Sequence, residues 1–316
     1  MDKRLLFVAS LLLCLTGTSF AQQEKLLTHF IFDKMSLNPG ATGITTENTV
    51  CATSIYRNQW DRVNGAPNSA VLNVEANLQR FFPSAAGISF YHDAIGFYRQ
   101  NNVVLNYAYH QPLSNGDLLG IGLGIGISSM SNTPTWVTPQ TQFPAGIDPL
   151  LYTTGYSQTN VDMNFGVYYH SDKNFYAGVS GVHLNAAQFD TAIGLSMSRH
   201  FYLMGGKYFE DLIAQDIDLE ANVLVRTDLV KTSADVNVRA LYQDRFYGGL
   251  TFRANDAVAI MLGMIDVIPN LNVGYSYDAT VNKLRTNSWG SHELMVKYCY
   301  MIPPPPREVT INPRWL

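Results

Sequence analysis

The sequence predicts an all-β fold, an antiparallel transmembrane β-barrel of about 14 strands in an outer membrane. Three observations predict it. Apolar and polar residues alternate at period two along most of the chain, which marks half-buried strands rather than helices. The N-terminus reads as a secretory signal. Only 15% of the 316 residues are charged while 47% are hydrophobic and 12% aromatic, whereas a soluble domain carries about 25% charge.

Residues 1–21 form the predicted signal peptide. Lys3 and Arg4 supply a positive start, residues 5–15 an apolar run, and Ser19-Phe20-Ala21 small residues where a signal peptidase cuts. Gln22 is then the mature start. Bulky Leu13 before Cys14 argues against lipid modification of that cysteine. The mature chain lacks an apolar run of about 18 residues, so it has no predicted membrane-spanning helix. A net charge of −4 and a pI near 5.9 argue against a nucleic-acid binder, and the apolar content argues against disorder.

Residues 22–46 precede the first convincing strand and are long enough to lie under the barrel or fold into its lumen. The barrel itself is expected over 47–300. Ala70, Leu72, Val74 and Ala76 share one face, opposite Val71, Asn73, Glu75 and Asn77. Val103, Leu105, Tyr107 and Tyr109 back onto Asn106, Ala108 and His110. The sharpest case sets Leu119, Ile121, Leu123, Ile125 and Ile127 against Gly120, Gly122, Gly124 and Gly126. Bulky apolar faces opposite small or polar ones suit a wall that is greasy outside and polar inside. Glycine at every second position suits a crowded lumen or a close backbone approach.

Strands are expected at 48–57, 69–79, 85–92, 102–111, 118–129, 160–170, 174–183, 197–207, 216–227, 234–243, 246–254, 256–265, 270–279 and 291–300. Short connections alternate with the longer segments 58–68, 130–159, 184–196 and 280–290. Short turns belong on the periplasmic side of such barrels and long loops outside, which would put both termini in the periplasm. Residues 301–316 form a tail with four successive prolines, Pro303 to Pro306, which favour an extended polyproline II segment.

Candidate chemistry is sparse. The glycine-rich run 120–126 lacks the helix and spacing of a phosphate-binding loop. Ser291-His292-Glu293 cannot form a triad within one strand, because neighbouring side chains point to opposite faces. No Cys/His spacing suggests a metal, and neither a cofactor nor an enzymatic activity is expected. His110 and His170 fit polar lumen positions. Asp218, Glu220, Arg226, Arg239, Arg253, Glu293 and Lys297 fall on polar faces of successive strands, where opposite charges out of water must pair. This pattern suits an internal network that stiffens the barrel, or a polar conduit for solute, with 22–46 as a candidate plug. Trp60 and Trp136 on long loops and Trp315 in the tail are candidate partner anchors, and Trp60 equally fits an interfacial girdle. Closure would pair the first strand with the last. Cys51 and Cys299 could then face each other across the seam, bonded or simply as small residues in a tight lumen.

Five ordered boxes resemble one known family. They are Leu37-Asn38-Pro39-Gly40-Ala41-Thr42-Gly43, Tyr56-Arg57-Asn58-Gln59-Trp60, Arg245-Phe246-Tyr247-Gly248-Gly249-Leu250 with Arg253, Gly274-Tyr275-Ser276-Tyr277-Asp278, and Gly290-Ser291-His292-Glu293-Leu294. They are similar to the motifs of the PorP/SprF family of type IX secretion system outer-membrane proteins. His29-Phe30-Ile31-Phe32-Asp33 and the proline tail depart from the family pattern. The resemblance implies a component of type IX secretion that docks or retains a secreted cargo protein, bearing a C-terminal sorting domain, at the cell surface. It also implies links to a periplasmic ring lipoprotein and, in some members, to gliding motility. A porin or transporter for small or hydrophobic solutes is the alternative.

Overall fold

The computed structural model describes residues 24–44, 48–79, 83–135, 155–190, 195–254 and 256–303. The strands are β1 (Thr49–Asn58), β2 (Asn68–Asn77), β3 (Ser84–Ile95), β4 (Tyr98–Pro112), β5 (Leu118–Asn132), β6 (Tyr156–Ser171), β7 (Phe175–Val182), β8 (Gln188–Asp190), β9 (Leu195–Ser196), β10 (His200–Ala214), β11 (Ile217–Thr227), β12 (Thr232–Tyr242), β13 (Phe246–Arg253), β14 (Ala257–Ile268), β15 (Leu271–Thr280) and β16 (Ser291–Met301). Fourteen of them close an antiparallel meander, with β10 pairing β7 and β16 returning to β1. The small pair β8–β9 stands apart, inside the connection from β7 to β10.

The alternation sorts as expected for a lipid-facing wall. In β5, Leu123 and Ile125 are 56% and 58% exposed, while Gly124 between them faces inward. Closure matters because an open edge would leave backbone N–H and C=O groups unpaired where no water reaches them. β5 and β6 continue to Asn132 and from Tyr156, beyond the limits read from hydrophobic periodicity. Their backbone pairing continues past the apolar band, from Met130–Gln158 to Asn132–Tyr156.

The two rims differ. One carries the long connections 59–67, 133–155, 183–199 and 281–290; the other carries tight turns such as 215–216 and 243–245. At the short-turn rim Cys51 lies opposite Cys299 in the β1–β16 pair, and the two are joined by a disulfide. The seam is therefore closed covalently as well as by its ladder.

Residues 24–44 lie within the barrel, with Leu27, Thr28, His29, Phe30, Leu37, Asn38 and Thr42 buried. The segment starts at the long-connection rim, where Glu24 meets His183. It ends beside the short-turn rim, where the Asn77 side chain donates to the Gly43 carbonyl. The last described residues leave β16 at the short-turn rim, where Ile302 N donates to Asn48 O. The two described ends therefore lie at opposite rims; the termini themselves lie outside the described residues. The chain must cross the lumen before β1 starts, because its polar backbone finds partners there. The signal peptide, Trp136 and Trp315 lie outside the described residues.

Candidate functional site

The polar inner faces meet the N-terminal segment at two docking points; the sequence boxes supply Arg57, Arg253, Asp278 and Glu293 of the first and the Asn38–Gly43 turn of the second. The first is a buried ionic cluster below the long-connection rim. Register places Arg57 of β1 directly opposite Glu293 of β16, and Asp235 of β12 opposite Arg253 of β13. The Arg57 guanidinium binds Asp278 at 2.8 Å and Glu293 at 3.1 Å. Arg253 bridges Asp278 and Asp235, each at 3.2 Å, and Arg226 closes on Asp235. Three guanidinium groups thus balance three carboxylates, which is what makes burial of each charge tolerable.

The N-terminal segment completes this cluster. The backbone N–H groups of Thr28 and His29 donate to the two Glu293 oxygens at 3.0 and 2.7 Å. His29 Nδ1 lies 2.8 Å from Glu293 Oε1. The Thr28 hydroxyl donates to Asp278 at 2.9 Å, and Arg226 donates to the Lys25 carbonyl. Charge-assisted bonds of this kind are about twice as strong as neutral ones. At the start of the segment, burial works against the His183 imidazolium, but the Glu24 and Asp162 carboxylates outweigh it and hold His183 up at about 9. Burial likewise disfavours the Glu24 carboxylate, and His183 overcomes that to hold it well below the usual range.

The second docking point explains the glycine stripe. Asn38 caps a short 3-10 turn over Pro39–Ala41, its side-chain oxygen accepting from Gly40 N. Its side-chain nitrogen donates to the Val167 and Val179 carbonyls. This turn lies flat on β5 and β6. A Cβ at Gly122 would stand 2.2 Å from the Pro39 carbonyl carbon, and one at Gly120 would stand 2.1 Å from the Gly40 oxygen. Only glycine permits this approach. Gly43 (φ +63°) turns the chain away, its N–H donating to Glu75 at 2.7 Å, while His110 Nε2 donates to the Thr42 carbonyl at 2.9 Å.

Of the network read from polar faces, Arg226, Arg253 and Glu293 belong to the cluster. Glu220 and Arg239 form a separate ion pair, with the Arg239 guanidinium over the rings of Phe32 and Tyr247. Two residues of that network stand apart from the cluster. Asp218 pairs with no cation among the described residues; it sits near the short-turn rim and accepts from the Tyr208 hydroxyl and Asp211 N–H. Lys297 makes no ion pair among the described residues, since the cluster lies nearer the other rim. His170 lines a cavity of about 750 Å³ at the short-turn rim.

Outward-facing members of the same boxes point away from the cluster. Tyr56 is exposed, and Tyr275 contacts His292 at 2.6 Å on the outer wall. Asn58 ends β1 and buried Gln59 follows it. Trp60 is half-buried at the rim in left-handed backbone (φ +53°), its N–H donating to Ser291 Oγ. Sequence reasoning missed Thr28, His29 and Asp235 as cluster members. Asp235 alternates with Asn237 and Arg239, a pattern that could have revealed it. Thr28 and His29 carry no periodic signal.

The family pattern described as type IX secretion system membrane protein PorP/SprF matches residues 19–298. No curated protein matches the chain. Among solved structures the chain is similar to the toluene transporter TbuX of Ralstonia pickettii, at 9% identity and a TM-score of 0.49 over 84% of this chain and 92% of that one. It is also similar to the outer membrane protein Omp33 of Acinetobacter baumannii, at 6% identity and a TM-score of 0.45 over 80% of this chain and 98% of that one. A third is the CymD monoaromatic hydrocarbon channel, at 11% identity and a TM-score of 0.45 over 84% and 91%.

Proposed function

The chain belongs to the PorP/SprF family of type IX secretion system membrane proteins, and from that membership we propose that it is a plugged outer-membrane barrel that docks a secreted cargo protein rather than a conduit for solute. One observation carries the reading: residues 24–44 thread the lumen and are locked to its wall by the Arg57–Asp278–Glu293 cluster and by the glycine stripe. Four charged wall residues, Arg57, Arg226, Asp278 and Glu293, hold the segment directly and would have to release it to open a path there. A wall built to hold its own N-terminal segment is poorly suited to passing solute. It suits a rigid platform that presents rim loops to a partner.

In this reading the long-connection rim faces outward, as long loops do in such barrels. The loop 133–155, with Trp136, and the turn bearing Trp60 form the cargo-facing surface, and aromatic anchors with polar neighbours fit that role. The short-turn rim and the tail with Trp315 face the periplasmic machinery, including a ring lipoprotein and, where present, the gliding apparatus. An extended proline segment loses little entropy on binding. The role is non-enzymatic.

Deleting 135–150 tests the reading. Cargo with a C-terminal sorting domain should co-purify with the full-length barrel from detergent extract and be lost from the deleted one, while both keep heat-modifiable migration on gels. Unchanged cargo retention refutes the docking surface. The transporter alternative predicts steady single-channel conductance from the intact protein in planar bilayers; the plugged reading predicts none.

A further inference from the structure

Exposed charge is uneven between the rims: the short-turn side carries both signs, including Lys173, Lys207 and Arg245, whereas the long-connection rim exposes cations alone among the described residues. Where side chains are described, the exposed carboxylates are Asp172, Glu210, Asp211, Asp216, Asp244 and Asp266, and all six lie at or beside the short turns. The long-connection rim instead exposes six cations, Arg62, Arg99, Arg199, Lys231, Lys283 and Arg285. None of these makes an ion pair among the described residues. Three carboxylates at this rim, Asp61, Asp228 and Asp256, are half-exposed, and two of them are engaged elsewhere. Asp228 accepts the Val230 and Lys231 N–H groups, and Asp256 lies 3.5 Å from buried Arg253.

The cations also encircle the barrel. Arg62 lies between β1 and β2, Arg99 at the start of β4, Arg199 before β10, Lys231 between β11 and β12, and Lys283 and Arg285 between β15 and β16. Exposed aromatics stand with them. The Arg62 guanidinium lies 3.0 Å over the ring of Trp289, which is 59% exposed, and Tyr98 precedes Arg99. Aromatic girdles mark the depth where hydrocarbon gives way to headgroups, so this ring of charge stands at headgroup level. Net charge cannot explain it, because the chain carries −4 overall and yet this rim is positive. At a Debye length of about 8 Å the opposite rim does not screen it.

We propose that this collar binds the phosphate-bearing headgroups of the outer-leaflet glycolipid, fixing the barrel's depth and direction in the membrane. The chemistry is simple: guanidinium and ammonium groups with no carboxylate partner among the described residues, Arg99 and Arg199 bonded only to backbone carbonyls, stand beside an aromatic belt and meet dianionic phosphates, while the six exposed carboxylates of the other rim disfavour the same surface. A juxtamembrane cation at an anionic surface contributes about a fivefold gain in affinity. The inference takes only the barrel's orientation from the proposed function.

Native mass spectrometry of the full chain in detergent, titrated with bisphosphorylated lipid A, tests it. Adducts should form on the intact protein and weaken about 25-fold in the Lys283→Gln/Arg285→Gln variant, and more in a variant also carrying Arg62→Gln and Arg99→Gln. The Asp244→Asn/Asp266→Asn control should match the intact protein, and raised salt should weaken all adducts. Equal binding of the dephosphorylated glycolipid, or no loss in the four-site variant, overturns the proposal. So does full displacement by excess inorganic phosphate, which would mark a plain anion site. Heat-modifiable migration verifies that each variant is folded. Labelling of Lys283→Cys in whole cells by an impermeant maleimide reads orientation by itself, so that a failed orientation and a failed lipid contact give different results.

Discussion

Replacing Arg57 by Met should loosen the N-terminal segment without unfolding the barrel. Arg57 is 2% exposed and serves both Asp278 and Glu293. Removing one partner of a buried ion pair costs about 3–5 kcal/mol, because the other charge is left uncompensated. Here the lower end applies. Asp278 keeps Arg253 and the Thr28 hydroxyl, and Glu293 keeps His29 and two backbone N–H groups. Charge in the cluster nonetheless shifts to two guanidinium groups against three carboxylates. A loss of about 3 kcal/mol corresponds to a roughly 150-fold larger population with this anchor open. Amide hydrogen exchange at Thr28 and His29 reads that population directly, since both N–H groups end on Glu293. Exchange there should accelerate by about two orders of magnitude while amides of β5 and β6 stay protected. Protection at Thr28 and His29 equal to that of the unmodified protein would refute the reasoning that this cluster holds the segment.

Three further outcomes are expected. Gly122→Leu should expel the Asn38–Ala41 turn, since its Cβ would meet Pro39 at 2.2 Å, exposing 24–44 to limited proteolysis while gel migration stays heat-modifiable; Gly205→Ala, whose Cβ would meet only ordinary contacts, should be silent. Cys51→Ser removes a link between residues 248 apart and should cost about 5 kcal/mol on the chain-entropy account, read as a lower unfolding midpoint; an unchanged midpoint would show that the ladder alone holds the seam. The Glu24–His183 contact should depend on pH at both ends. His183 is raised to about 9, so its contribution is full below about 6.5 and lost as pH rises through about 9; Glu24 is lowered, so its contribution is present above about 4.5 and lost as pH falls further. Tryptic cleavage after Lys25 should therefore rise sharply by about pH 10 and be insensitive to pH there in His183→Gln.

The sequence by itself determined the wall. Period-two alternation in 14 stretches specified strands, their facing and even their number, because each residue's face follows from its parity in a strand and needs no knowledge of its neighbours. The same parity placed Glu220, Arg226, Arg239, Arg253 and Glu293 inside. It also allowed the Cys51–Cys299 seam, though the register that bonds them was open to a slip of two residues. Only the tertiary structure decided what fills the lumen. The segment 24–44 has no periodicity, because its side chains answer to a surrounding wall rather than to a sheet or helix of its own. Thr28 and His29 therefore looked like ordinary polar residues, and the stripe from Gly120 to Gly126 could mean any close approach until Pro39 and Gly40 were found lying on it. Asp218 and Lys297 show the complement: parity places a charge on the lumen side, but its height along the barrel and the partner within reach depend on register between strands far apart in sequence, which only closure of the barrel fixes.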